Sequence, residues 1–204
     1  MDLIESLFPG LVQTENAEVP VWGDYEAPWS LLSSSPGGLI SQIRDLVEEP
    51  DGVFIDPSAT IGEFVRIEGP CFIGANVEIR HTAYLRQGSW ICDDAVVGHA
   101  TEVKNSVLLP GAKAPHFNYV GDSILGIDAN LGAGTKLSNV RNDRREVLAT
   151  LSDGTKINTG LSKMGAIIGD GSQLGCNVVT NPGTILEPRS MVSPNKTVTG
   201  WFGH

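Results

Sequence analysis

The sequence predicts an all-β fold, a parallel β-helix, and three observations carry that expectation. Aliphatic residues recur six apart at Ile55, Ile61, Ile67, Ile73, Ile79, Leu85, Ile91, Val97, Val103 and Leu109. Four residues after the first nine stand smaller side chains: Ala59, Val65, Cys71, Val77, Ala83, Ser89, Ala95, Thr101 and Val107. The composition, with 24 glycines, 12 prolines and 6% aromatics, suits a turn-rich chain with thin aliphatic packing. A period of six is neither helical nor a plain alternation; it is the hexapeptide signature of a solenoid in which each repeat gives one short strand and one corner. Three hexads close a coil, so residues eighteen apart stack on rungs about 4.8 Å apart.

Residues 1–50 do not follow the hexad. Trp22, Tyr25 and Trp29 precede Ser33-Ser34-Ser35-Pro36-Gly37-Gly38, and Leu39 to Val47 carries apolar residues at helical spacing. This reads as an irregular arm with one amphipathic helix, ended near Pro50, capping the open first coil. Residues 51–200 form the β-helix. Glycines after the aliphatic position, such as Gly62, Gly74 and Gly98, fit corners where φ is positive or another backbone comes close. The repeat breaks between Leu109 and Leu125, resumes at Leu125, Leu131 and Leu137, then leaves for an inserted loop at 138–167. That insertion carries Arg141, Arg144 and Arg145, and a hairpin turn at Ser152-Asp153-Gly154-Thr155, which makes it a candidate lid or subunit contact. The hexad returns at Ile168, Leu174, Thr180, Leu186, Val192 and Val198, with Val178, Thr184 and Ser190 in the small slot.

The 204 residues allow one sizeable domain with an extension. Fourteen basic against 24 acidic residues give a net charge of −10, which disfavours nucleic acid and anionic membrane as partners. Cys71, Cys92 and Cys176 are odd in number and widely spaced, against a disulfide framework or a zinc site; Cys71 reads as core filling. The opening Met1-Asp2-Leu3-Ile4-Glu5 lacks a secretory pattern, and no apolar run is long enough for a membrane span, so a cytoplasmic location is expected.

Arg86 and Lys104 each follow an aliphatic residue and lie eighteen apart, so they should stand on adjacent rungs of one face, where an anion would relieve their repulsion. The alternatives are a salt bridge to Glu68, in the same slot one coil earlier, or plain solvation. His116 lies in the first irregular stretch and is a candidate general base, or a structural histidine. His81 and His99 should stack. With His116 they raise the alternative of a three-histidine metal site as in the γ-class carbonic anhydrases, but His116 falls outside the eighteen-residue slot and no metal is expected. Cys92 and Cys176 fall in turn positions.

An ordered set of motifs then carries a resemblance. Arg86, Glu102-Val103-Lys104, His116-Phe117-Asn118-Tyr119-Val120-Gly121-Asp122, Asn130-Leu131-Gly132-Ala133-Gly134 and Asn139 are similar to the acetyltransferase domain of bifunctional glucosamine-1-phosphate N-acetyltransferases/uridylyltransferases. They resemble still more the C-terminal domains of archaeal sugar-1-phosphate nucleotidyltransferases, over about Leu85 to Val198. The resemblance implies a left-handed β-helix, a homotrimer, acetyl-CoA as cosubstrate, and an amino-sugar phosphate, glucosamine 1-phosphate by default, acetylated toward UDP-N-acetylglucosamine for the cell envelope. It implies Arg86 and Lys104 as the phosphate pair, Tyr119 and Asn130 on phosphate and sugar, and Glu102 near the amine. It implies His116 as general base, the Ala133 amide as donor to the thioester oxyanion, and Asn139 in the site. Arg145 falls where the family has a lysine reaching a neighbouring subunit's site; Cys176 and Ser193 fall near coenzyme A contacts. Val140 and Arg145 depart from the family's aromatic residue and lysine, which bears on the sugar. No Gly-rich nucleotide-binding start is present, so no nucleotidyltransferase activity is expected of this chain. The rival class is a noncatalytic β-helix that oligomerises or regulates a separate nucleotidyltransferase.

Overall fold

A computed structural model describes residues 3–13, 18–23 and 27–203; Tyr25 lies outside them. Among these residues the chain coils into three parallel sheets that form the faces of a prism. Face A stacks eight strands from Val53–Ile55 to Trp201–Phe202. Face B stacks seven from Thr60–Ile61 to Met191–Val192, and face C seven from Arg66–Ile67 to Thr197–Val198. The hexad aliphatics point inward and stack: Ile73, Ile79, Leu85, Ile91, Val97 and Val103 are all buried in one continuous core. Cys71 joins them, and burial pushes its thiol up to about 12. Gly98, within the strand Val96–His99, shows why a glycine is needed where rungs come close, since a Cβ there would run into the Pro115 carbonyl of the next rung.

Two corrections follow from two coils that are each one residue short. Early coils advance by eighteen, as in Cys71↔Ser89 and Tyr84↔Glu102. From the Lys104–Ser106 corner onward two coils advance by seventeen, as in Ser89↔Ser106, His99↔His116 and Tyr119↔Glu102. Asn105 and Asp122 turn these shortened corners at positive φ, 43° and 47°. Inward positions therefore shift by one: Leu108 enters the core, whereas Leu109 and Val107 join a second apolar cluster outside it. The stretch from Leu109 to Leu125 is no excursion. Its strands Lys113–His116 and Tyr119–Gly121 continue faces B and C, with Ala114 and Val120 inward.

That second cluster corrects the capping expectation as well. Face A is apolar on its outside, through Phe72, Trp90, Val107, Ile124, Ile167 and Ile185. Helix α1 (Leu3–Leu7) and helix α2 (Leu39–Leu46) lie along this flank with Phe8, Trp29 and Ile43, instead of closing the first coil. The first coil keeps Val53, Ile55 and Ile61 exposed. A sheet buried on both sides needs a cover along its length more than at its end. The insertion supplies the rest of that cover. Its hairpin, Leu148–Thr150 against Lys156–Asn158, turns at the expected Ser152–Thr155 and sends Val147, Ala149 and Met164 into the same cluster. No helix among the described residues is long and apolar enough to cross a membrane.

Asp170 fastens the arm. Its carboxylate accepts the N–H groups of Gly10 and Ile127, both at 2.8 Å, and its own amide donates to the Leu7 carbonyl. Asp170→Ala should cost about 1–3 kcal/mol, the penalty for stranded donors. Hydrogen exchange should show faster exchange at Gly10 with the core strands unchanged; unaltered exchange at Gly10 would contradict this anchoring role.

Candidate functional site

Because inward and outward positions alternate along each strand, the residues flanking Leu85, Val103 and Val120 all project from face C. They form two columns. Arg66, Tyr84, Glu102, Tyr119 and Lys136 are register partners in sequence along the first. Two residues further along each strand, about 6.6 Å away, Glu68, Arg86 and Lys104 begin the second. Arg86 and Lys104 thus stand on adjacent rungs as expected, but neither is bare. Arg86 donates to Glu102 at 2.9 Å, not to Glu68, and its guanidinium lies 5.9 Å from the Tyr84 ring centre. Glu102 holds the Arg86 guanidinium above its ordinary range. Glu68 is taken instead by Arg66.

Lys104 is bound to Asp122, at 3.0 and 3.1 Å to its two oxygens. Asp122 is 3% exposed and also accepts from Asn105 at 2.9 Å and from Asn139. The second Asn139 amide hydrogen donates to the Tyr119 hydroxyl oxygen at 3.2 Å. Burial pushes the Tyr119 phenol up, with the Asn139 bond opposing it, so the hydroxyl keeps a proton to donate outward. Asn105 and Asp122 are the residues that spacing missed. The signal was the inward series shifting by one, from Val103 to Leu108 and Val120 to Leu125, which marks both shortened corners.

His116 stands at the corner where face B turns into face C, three residues before Tyr119. Its imidazole is exposed and has no hydrogen-bond partner among the described residues, while its amide donates to the Asn118 side chain at 3.0 Å. The seventeen-residue coil places His116 in register with His99, which stacks on His81 at 5.1 Å; the expectation that it misses this slot is corrected. The same corner continues upward through hydrogen bonds from Gly134 to His116, Asn177 to Ala133, and Asn195 to Cys176. The Ala133 N–H donates to no group among the described residues. Cys176 is exposed on this edge, and Ser193 follows Val192, the register partner of Leu174, on the next coil. Cys92, by contrast, is buried in the outer cluster, where burial pushes its thiol well up.

Two expected residues are not brought to face C within one chain. Asn130 projects from face B, in register with Lys113 and Gln173. Arg145 sits on the insertion and is bound with Arg141 to Asp143, which those two guanidiniums hold well below the usual carboxylate range. At the corner between faces C and A a cavity of about 380 Å³ is lined by Glu68, Arg86, Gln87, Lys104 and Asn105, with Leu32, Ser33, Ser34 and Ile40 from the arm. A larger one, about 790 Å³, lies under the arm around Trp22 and Trp90 and shares no residue with the columns.

Comparison with known proteins agrees with this architecture. The chain is 34% identical to the bifunctional sugar-1-phosphate nucleotidylyltransferase/acetyltransferase of Sulfurisphaera tokodaii, over 90% of its own length and 47% of that protein. It is 33% identical to the bifunctional protein GlmU of Methanococcus vannielii, over 85% of this chain and 43% of the relative. The chain thus spans about half the length of these two relatives. It is also 32% identical to the uncharacterized acetyltransferase YaiX of Escherichia coli, over 97% of this chain and 91% of that one. The family model of the GMPPB C-terminal domain matches residues 67–201, from the first strand of face C to the last strand of face A. The chain belongs to that family.

Proposed function

We propose that this chain is an N-acetyltransferase that moves acetyl from acetyl-CoA to the amine of a hexosamine 1-phosphate, with glucosamine 1-phosphate the leading substrate. The observation that carries the reading is the arrangement across face C: cations at one corner, a free imidazole at the other, and Glu102 and Tyr119 between them. A sugar lying across that face would put its phosphate on Arg86 and Lys104, and its amine toward His116. The amine nitrogen attacks the thioester carbon while His116 takes the ammonium proton. The tetrahedral oxyanion accepts from the unspent Ala133 N–H, and the coenzyme A thiolate leaves and is protonated. The relatives named acetyltransferases support acetyl-CoA as cosubstrate. No metal is assigned to the transfer. Under this reading the product feeds UDP-N-acetylglucosamine synthesis for the cell envelope, in the cytoplasm.

We infer a homotrimer, in which Asn130 on face B and Arg145 on the insertion would complete a neighbouring copy's site. Cys176 and Ser193 would line the coenzyme A edge beside Ala133. In domain terms, residues 1–50 are an arm serving the β-helix of 51–200, with 138–167 inserted. A noncatalytic partner of a separate nucleotidyltransferase is the second reading. It is favoured by the bifunctional names and by the carboxylates already engaging Arg86 and Lys104. Co-purification with such an enzyme and no thiol release would establish it.

Thiol release from acetyl-CoA with a panel of amino-sugar 1-phosphates tests the leading reading, and an intact trimer inactive across the panel would overturn it. His116→Ala should lower kcat by about 10²–10⁴ without changing assembly. Arg86→Ala should raise KM for the sugar phosphate about tenfold or more, with kcat less affected. Thiol labelling at pH 8 should modify Cys176 alone in the native protein, because burial keeps Cys71 and Cys92 protonated there. Coenzyme A should slow that labelling; an unprotected Cys176 would remove it from the cofactor site.

A further inference from the structure

We propose that the arm is part of the phosphate site, with Ser33 and Ser34 supplying uncharged donors to a phosphate held by Arg86 and Lys104. The inference deepens the reading above and rests on it for two points, that the ligand carries a phosphate and that Arg86 and Lys104 hold it. The 380 Å³ cavity has two walls, one from the coil and one from the arm, and it lies at the small end of ligand pockets. The arm arrives there on a fixed footing. Trp29, Leu31 and Leu32 of the turn Pro28–Leu32 are buried in the outer cluster, and Asn105 Nδ2 donates to the Leu32 carbonyl at 2.9 Å. The same amide group donates to Asp122, so one side chain joins the arm to the carboxylate that holds Lys104.

Charge explains why neutral donors are needed. Around this corner Arg66, Arg86 and Lys104 face Glu68, Glu102 and Asp122, each cation on its own carboxylate. Local charge is balanced, so a phosphate dianion gains little from net attraction and must be held by hydrogen bonds that add no further repulsion. The Ser34 hydroxyl and N–H donate to no protein group among the described residues, and the Ser33 hydroxyl shares only a 2.6 Å bond with Ser35. Both serines precede the 67–201 stretch that the family model matches.

Glucose 1-phosphate, which has the phosphate and lacks the amine, separates this inference from the acetyltransferase reading. By calorimetry, Ser33→Ala/Ser34→Ala should bind it about tenfold more weakly for each donor lost, and Ser34→Asp more weakly still. Ser34→Thr should keep wild-type affinity, and all variants should melt with the wild type. Equal affinity in wild type, the alanine pair and Ser34→Asp would overturn the proposal, as would a wild type that fails to bind glucose 1-phosphate. Binding that behaves as expected in a protein with no acetyl transfer would leave the arm's role standing and sink the transferase instead.

Discussion

The parallel backbone ladder between successive coils is the constraint on which every other feature depends. Once residue 85 is hydrogen-bonded across to residue 103 and that to residue 120, side-chain direction is no longer free; it alternates in or out by strand geometry. Aliphatic residues take the inside because a prism this narrow admits one layer of medium-sized side chains per rung. Function is left with the outside and the corners. Columns of like position, which would be scattered in another fold, become neighbours at rung spacing here.

The shortened corners turn this regularity into chemistry. Dropping one residue brings Asn105 and Asp122 to the rim of face C at positive φ, where each can turn its side chain toward Lys104 or the arm. A buried carboxylate such as Asp122 is tolerable only when fully engaged, and three side chains engage it. Arg86 and Lys104 are therefore prealigned by their carboxylates. Under the proposed reading, a ligand anion would meet cations whose rotamer freedom is already spent, which would lower the ordering cost of binding.

The repeat made much of the fold legible: Ile73, Ile91, Leu131 and Leu174 are inward where spacing put them, and the helix near Leu39 and the hairpin at Ser152 were marked by local pattern. Leu109 was misread because both Leu108 and Leu109 are aliphatic, so a one-residue slip kept the hexad superficially intact. The same slip hid the register of His116 with His99. The arm was the hardest part, since its docking depends on Phe72 and Trp90, outward residues that hexad counting ignores. Among the site residues, Arg86 and Lys104 could be placed together from spacing, whereas their carboxylate partners depended on corner geometry.

The 138–167 detour shows how little the coil asks of its connections. Ser123 and Ala166 are hydrogen-bonded neighbours although 43 residues separate them, and the inward stack passes from Leu125 to Ile168 without a gap. Strand pairing there is blind to path length. Such a corner is a mounting point: evolution or a protein engineer could exchange the hairpin for another module, provided it again covers face A as Val147 and Ala149 do, and leave the prism beneath it wound as before.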